Sequence, residues 1–182
     1  MTAQASVASR IESPGGVTGT PLEGLAPVLD AGTRLVVLGS FPGVASLRAQ
    51  QYYGHPRNHF WPILGALWHL DLAAAPYARR IEAALAHGLG LWDVYASCER
   101  LGSLDSAIAN AQINDLPSLL RRAPALQALV HNGGESARSM RLTGALGVPV
   151  YRLPSTSPAN ATWSLARKLA AWRDVFEQHG VA

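Results

Sequence analysis

Apolar and β-favouring residues cluster in four short runs: residues 34–38, 89–94, 126–130 and 148–153. Apart from Arg34, the first run is apolar throughout (Leu35, Val36, Val37, Leu38), the pattern of a strand buried on both faces. Between the runs, apolar positions recur at helical spacing over residues 60–70, 76–87, 135–146 and 163–179. Pro76 stands where a proline opens a helix, and Gly88 follows where one stops. Strands alternating with helices predict an α/β fold, with a four-stranded, mostly parallel sheet between two helical layers. Ligands of such sheets sit beyond the carboxyl ends of the strands. The segments to examine for chemistry therefore begin at Gly39, Tyr95, His131 and Pro154.

The start of the chain lacks this pattern. Residues 1–20 are small and polar, include Ser13-Pro14-Gly15-Gly16, and carry no apolar period. A mobile tail over residues 1–22 and one domain over residues 23–182 are expected. Hydrophobic residues make up 48% of the chain, which suits a globular core. No apolar run reaches membrane length and no signal-peptide pattern opens the chain, so no membrane partner and a cytoplasmic, bacterial nucleoid-associated location are expected.

Charge permits a polyanionic partner without requiring one: the net value is +3. Lys168 is the only lysine. The arginine-rich balance suits bidentate phosphate contacts, but GC-rich coding produces the same bias. Cys98 is the single cysteine, which excludes a disulfide framework and a cluster held by four thiolates. The six histidines show no pair at ligand spacing on an obvious helix, so neither a metal nor another cofactor is expected.

Three loops carry candidate chemistry. Gly39-Ser40-Phe41-Pro42-Gly43 follows the first strand, where glycine lets backbone N–H groups approach a ligand. An ordinary strand-to-helix turn would have the same composition. Residues 51–61 (Gln-Tyr-Tyr-Gly-His-Pro-Arg-Asn-His-Phe-Trp) gather aromatics, Arg57 and Asn58 just before a helix. Asn58 or His59 could cap that helix, and the aromatics could be core, yet stacking surface beside an arginine also fits an extruded base. Residues 153–161 (Leu-Pro-Ser-Thr-Ser-Pro-Ala-Asn-Ala) offer hydroxyls and amides to phosphate oxygens on a proline-stiffened loop. Asn160 or Thr162 could equally cap the last helix.

Taken together, these segments resemble the hypoxanthine-DNA glycosylase branch of the uracil-DNA glycosylase superfamily. The matching stretches are residues 39–43, 46–47, 51–61, 91–94, 103–108 and 153–160, in family order. Mismatch-specific uracil glycosylases look similar over residues 53–61. The resemblance implies a monofunctional base-excision repair enzyme. It would act on double- or single-stranded DNA containing a deaminated base, most of all hypoxanthine, as a monomer. Much of the superfamily places Asp or Asn where this chain has Phe41, to hold the attacking water. In the hypoxanthine branch the catalytic amide lies at the position of Asn58. Uracil enzymes often open the last loop with a histidine, and Leu153 stands there.

The resemblance assigns further roles. Tyr53 would stack on the base, and backbone N–H groups of Gly39, Ser40 and Phe41 would bond its carbonyl oxygen. Arg57, Pro154, Ser155, Thr156, Ser157 and Asn160 would hold the DNA, with Leu153 entering the base stack as a wedge. Asp93, ionised, could accept the N1–H of hypoxanthine and so reject adenine, which has no proton there; it could equally brace its own loop. No lysine sits in these loops, which argues against a Schiff-base step. The alternatives are a uracil or mismatch glycosylase and an inactive DNA-binding homologue. A nucleotide-binding module would want G-x-G-x-x-G or G-x-x-x-x-G-K-[ST], and neither occurs.

Overall fold

The computed structural model describes residues 21–182. Most of the expected tail lies outside these residues. Leu22, at its end, stands in strand β1 (Leu22–Glu23).

The four apolar runs form one sheet. β2 (Leu35–Gly39), β3 (Leu89–Asp93), β6 (Ala128–Asn132) and β7 (Val150–Leu153) lie in the order β3-β2-β6-β7, every pairing parallel. The sheet is covered on both sides, which explains the unbroken apolarity of β2. Side chains alternate across a strand, so Leu35 and Val37 pack into one core with Phe60, Ile63, Leu64, Trp172 and Phe176. Val36 and Leu38 point the other way, to Trp92, Leu116, Leu119 and Leu129.

Helices α1 (Val44–Ala49), α2 (Phe60–Trp68) and α3 (Tyr77–Ala86) lie between β2 and β3 in the chain. A short α4 (Leu119–Arg122) precedes β6. The single helix expected over residues 135–146 is two, α5 (Gly134–Ala137) and α6 (Met140–Gly144). A buried histidine ties them together: His131 Nδ1 meets Ser136 Oγ at 2.7 Å, and Nε2 meets Thr143 Oγ1 at 2.8 Å. Ser136 in turn donates to the Leu38 carbonyl. The last helix, α7 (Leu165–Gln178), buries Lys168, Trp172, Val175 and Phe176 along one stripe. Its cap is Ser164, whose hydroxyl accepts the Arg167 N–H, and neither Asn160 nor Thr162 has that role.

A second, smaller sheet was not expected. β3 ends at Asp93, and the chain runs on through buried Val94 into β4 (Tyr95–Glu99), which pairs antiparallel with β1 and with β5 (Ala109–Ile113). β5 alternates Ala109, Ala111 and Ile113 with Asn110 and Gln112, but it is mostly exposed and its small residues make no apolar run that stands out in the chain.

Candidate active site

A cavity of about 430 Å³ opens beyond the carboxyl ends of β2, β3 and β6. Its wall combines loop 39–43 with Tyr52, Tyr53, His55, Asn58, Asp93 and Asn132. The loop segments 103–105 and 155–160 complete it. Three of the four expected loops thus converge, joined by a segment after β4.

Asp93 lies over Gly39. A Cβ at position 39 would collide with Asp93 Oδ1 and would stand 3.7 Å from the Tyr53 hydroxyl, so any larger residue there would displace the carboxyl from its place. Asp93 is 4% exposed, and its Oδ2 is buried without a hydrogen-bond partner. Burial pushes its carboxyl up to about 7, the nearby Asp105 charge adds to this, and Arg100 opposes it. The Tyr53 hydroxyl is likewise buried and unpartnered. Burial, reinforced by Asp93 and opposed by the nearby Asn132 side chain, raises its pKa. An orphaned donor and an orphaned acceptor therefore share the floor of the cavity, an unusual state for buried polar atoms.

The Tyr53 ring stacks on Phe60, with centroids 3.8 Å apart and planes 22° from parallel. Its backbone is left-handed (φ 55°), a conformation uncommon for a bulky residue and one that functional sites often hold. Tyr52, its neighbour, is core: its hydroxyl donates to the Ala26 carbonyl, and its carbonyl accepts the Trp61 indole N–H.

Asn58 lines the cavity just before α2. Its Oδ1 accepts the Phe60 N–H at 2.9 Å, so it does bond the first turn, as a capping residue would. That bond uses one lone pair of the oxygen and fixes the side chain's rotation, leaving the other lone pair and the amide N–H groups to a ligand. The loop bearing Asn58 is fastened to the last loop, because His59 N–H donates to the Thr156 carbonyl at 3.0 Å. Thr156 is held from the far side by Asn132. Asn132 Nδ2 donates to Thr156 Oγ1, and Asn132 Oδ1 accepts the Thr156 N–H, both at 2.9 Å. Asn132 thus ties the end of β6 to Thr156 and, through it, to the Asn58 loop. No role was read for Asn132 in the sequence, although it stands between a buried strand and Gly133-Gly134.

The first loop is locked by residues of the segment after β4. Ser40 donates to Asp105 Oδ1 at 2.7 Å, and Ser103 Oγ accepts the Val44 N–H at 2.9 Å. Arg100 is buried, donates to the Pro42 carbonyl, and lies 5.1 Å from the Phe41 ring centre. Phe41 is itself 5% exposed. The role of the matching stretch 103–108 was not legible in the sequence, and its Asp105 is the charge that raises Asp93.

The last loop differs most from expectation. Leu153 is no wedge. It is 7% exposed and belongs to the core, because strand alternation turns Arg152 out and Leu153 in. Thr156 is wholly buried and engaged by Asn132, so its side chain is a strut and not a surface phosphate contact. Pro154, Ser155, Ser157 and Asn160 remain partly exposed, and Arg57 is exposed. Asn160 Nδ2 donates to the Ser155 carbonyl and Ser157 Oγ accepts the Ala159 N–H, which stiffens the loop from within. Lys168, remote in sequence, lies beneath it: the residue is wholly buried with Nζ 3.4 Å from the Ser157 carbonyl. Among the described residues no cluster of His, Cys, Asp and Glu could hold a metal ion.

A parallel sheet with a cavity at its carboxyl edge, two orphaned polar atoms at the floor and an oriented amide at the wall is a built site for a small polar ligand. The sequence profile of the Uracil DNA glycosylase superfamily matches residues 26–176, and the chain belongs to that superfamily. Among its relatives is the hypoxanthine DNA glycosylase of Methanosarcina barkeri, 37% identical over 156 residues, covering 86% of this chain and 98% of the relative. The hypoxanthine DNA glycosylase of Methanosarcina acetivorans is 36% identical over 84% of this chain and 96% of its own. A solution NMR structure of a Methanosarcina acetivorans protein, described as a proposed uracil DNA glycosylase, superposes with a TM-score of 0.79 at 34% identity. It covers 87% of this chain and 98% of that one.

Proposed function

We propose that this single-domain DNA glycosylase, spanning residues 23–182, removes hypoxanthine from DNA. The observation that carries the reading is the unpartnered pair at the cavity floor: the Tyr53 hydroxyl, a donor, beside the Asp93 carboxylate, an acceptor. Hypoxanthine presents O6, an acceptor, next to N1–H, a donor. Adenine reverses this edge, with an amino donor at C6 and a bare N1 lone pair, and would leave both protein atoms unsatisfied. Guanine shares the N1–H and is held back by its stable pairing and by its exocyclic amine. Uracil has an equivalent edge on a smaller ring. The cavity has room for a purine, and both hypoxanthine-named relatives support the larger base.

Cleavage breaks the bond between C1′ and the base nitrogen. The electron pair leaves with the base, positive charge gathers on the sugar, and water adds to C1′ while its proton passes to solvent or to the base. Asn58 Oδ1 accepts a hydrogen from that water and so aims it. A neutral amide is a weak base, which suits a path where the sugar cation forms first. The Gly39–Phe41 backbone adds N–H groups toward the base carbonyl, and Phe60 backs the Tyr53 ring whose hydroxyl meets the base edge. Arg57, Pro154, Ser155, Ser157 and Asn160 face the DNA backbone from the rim. The enzyme works as a monomer in the compartment that holds the DNA. The amine of Lys168 is buried under the last loop, which supports a hydrolytic, monofunctional reaction.

The test is single-turnover excision from matched duplexes carrying inosine, uracil, xanthine or no lesion. Inosine should be cleaved fastest, and Asn58→Ala should slow it by about 100-fold or more, the scale of a lost positioning group, without lowering DNA affinity. Faster uracil release by the wild type, or an unimpaired Asn58→Ala, would overturn the reading.

A further inference from the structure

Flipping a base leaves a gap in the stack, and an enzyme that acts on duplex DNA needs an apolar side chain to fill it. Leu153 cannot serve, since it lies in the core. The rest of the last loop offers no large apolar side chain at the cavity wall: Ser155, Thr156, Ser157, Pro158, Ala159 and Asn160. The segment after β4 differs. Leu101 is 90% exposed and Leu104 60%, the two most exposed large apolar residues among those described. Leu104 lines the cavity, and Leu101 projects from the same loop between Arg100 and Ser103.

This loop is not a loose excursion. Arg100 is buried and donates to the carbonyls of Pro42 and Gly102. Ser103 accepts the Val44 N–H, and Asp105 accepts the Ser40 hydroxyl. Polar anchors on both sides therefore hold two bare leucines at the mouth of the site. Exposed leucines contribute nothing to the core, and isolated ones are ordinary on a surface. Two on one anchored loop beside the catalytic cavity are placed for a partner.

We propose that Leu101 and Leu104 form the wedge that enters the DNA base stack behind the flipped nucleotide. The occupant is duplex DNA, because the cavity they flank takes a base that a duplex must first release. Arg57, exposed on the loop that brings Asn58 to the cavity, stands ready for the backbone phosphates. The inference rests on the glycosylase reading and extends it to how the substrate is opened.

The experiment compares full-length wild type, Leu101→Ala, the Leu101→Ala/Leu104→Ala double variant and Leu101→Phe. Each is assayed for single-turnover excision from an inosine duplex and from the same strand alone. A 2-aminopurine beside the lesion reports unstacking, and melting temperature is measured in parallel. Leu101→Ala should lose about tenfold or more on the duplex, stay within about twofold on the single strand, and lose the 2-aminopurine signal, and the double variant should lose at least as much on the duplex. Leu101→Phe, which keeps an insertable side chain, should retain both. Equal losses on duplex and single strand would place the leucines in base binding and overturn the wedge, as would no loss at all. A clear fall in melting temperature would assign them to the fold's own packing and overturn the wedge. If the wild type released no inosine from either strand, the substrate reading would fail. The 2-aminopurine signal would still decide the wedge.

Discussion

Asp93→Asn tests the base-reading role and the energetics of the site together. The carboxyl is raised from 3.8 to about 7, mainly by burial. If the ionised form accepts the N1–H, inosine excision should rise about tenfold per pH unit below 7 and level off by about pH 8. Between pH 5 and pH 8 the gain is on the order of 100-fold. The asparagine variant cannot ionise, so its profile should lose this limb.

Stability should move in the opposite direction. The folded-state pKa of Asp93 lies above its unfolded value. Its stabilising contribution is therefore present below about pH 3.8 and lost as pH rises through about 7. Three units correspond to about 4 kcal/mol as an upper limit. Asp93→Asn should thus be more stable than wild type at pH 8 by up to that amount, with the gap closing by pH 4. Urea unfolding at pH 4, 6 and 8, paired with single-turnover kinetics at the same pH values, measures both effects. An unchanged kinetic profile in the variant would remove Asp93 from the base edge. Equal stabilities at pH 8 would show that the buried carboxylate has partners that the geometry lacks.

Leu153→Ala, as a core truncation, should cost about 2–5 kcal/mol of stability and slow duplex and single-strand excision alike; selective loss on the duplex would restore its wedge role. His131 predicts a slope opposite to that of Asp93. Burial depresses it from 6.5 to about 4, so its contribution is complete above pH 6.5 and falls away as pH drops toward 4, by about 3 kcal/mol at most. In wild type the two slopes largely offset each other. Asp93→Asn should therefore reveal a steep loss of stability between pH 6.5 and 4 that Asp93→Asn/His131→Asn lacks, and an acid-insensitive single variant would refute the assignment.

Much of the scaffold was legible in the chain because its signals are local. A strand covered on both faces must be apolar at every position, so residues 35–38 announced a parallel sheet. Gly39, Asn58 and the 153–160 loop announced the carboxyl-edge site through family resemblance. Helix 165–178 showed in the helical spacing of Leu169, Trp172, Val175 and Phe176, whereas Lys168 gave no hint that it would be buried with them. The residues that decide the chemistry depend instead on partners distant in sequence. Whether Leu153 enters DNA or the core turns on the parity of one strand position against its sheet. Asp93 reads as a strand-end acid until Gly39 lets it settle without a hydrogen bond to Oδ2 and Asp105 is brought close enough to raise it. Asn132, Arg100 and Ser103 have no chemistry of their own in the chain. They matter because they fasten loops that the sequence keeps far apart. Periodicity reports burial along one element, whereas the pairing of polar groups and the exposure of Leu101 and Leu104 are set by contacts between elements, which only the tertiary structure decides.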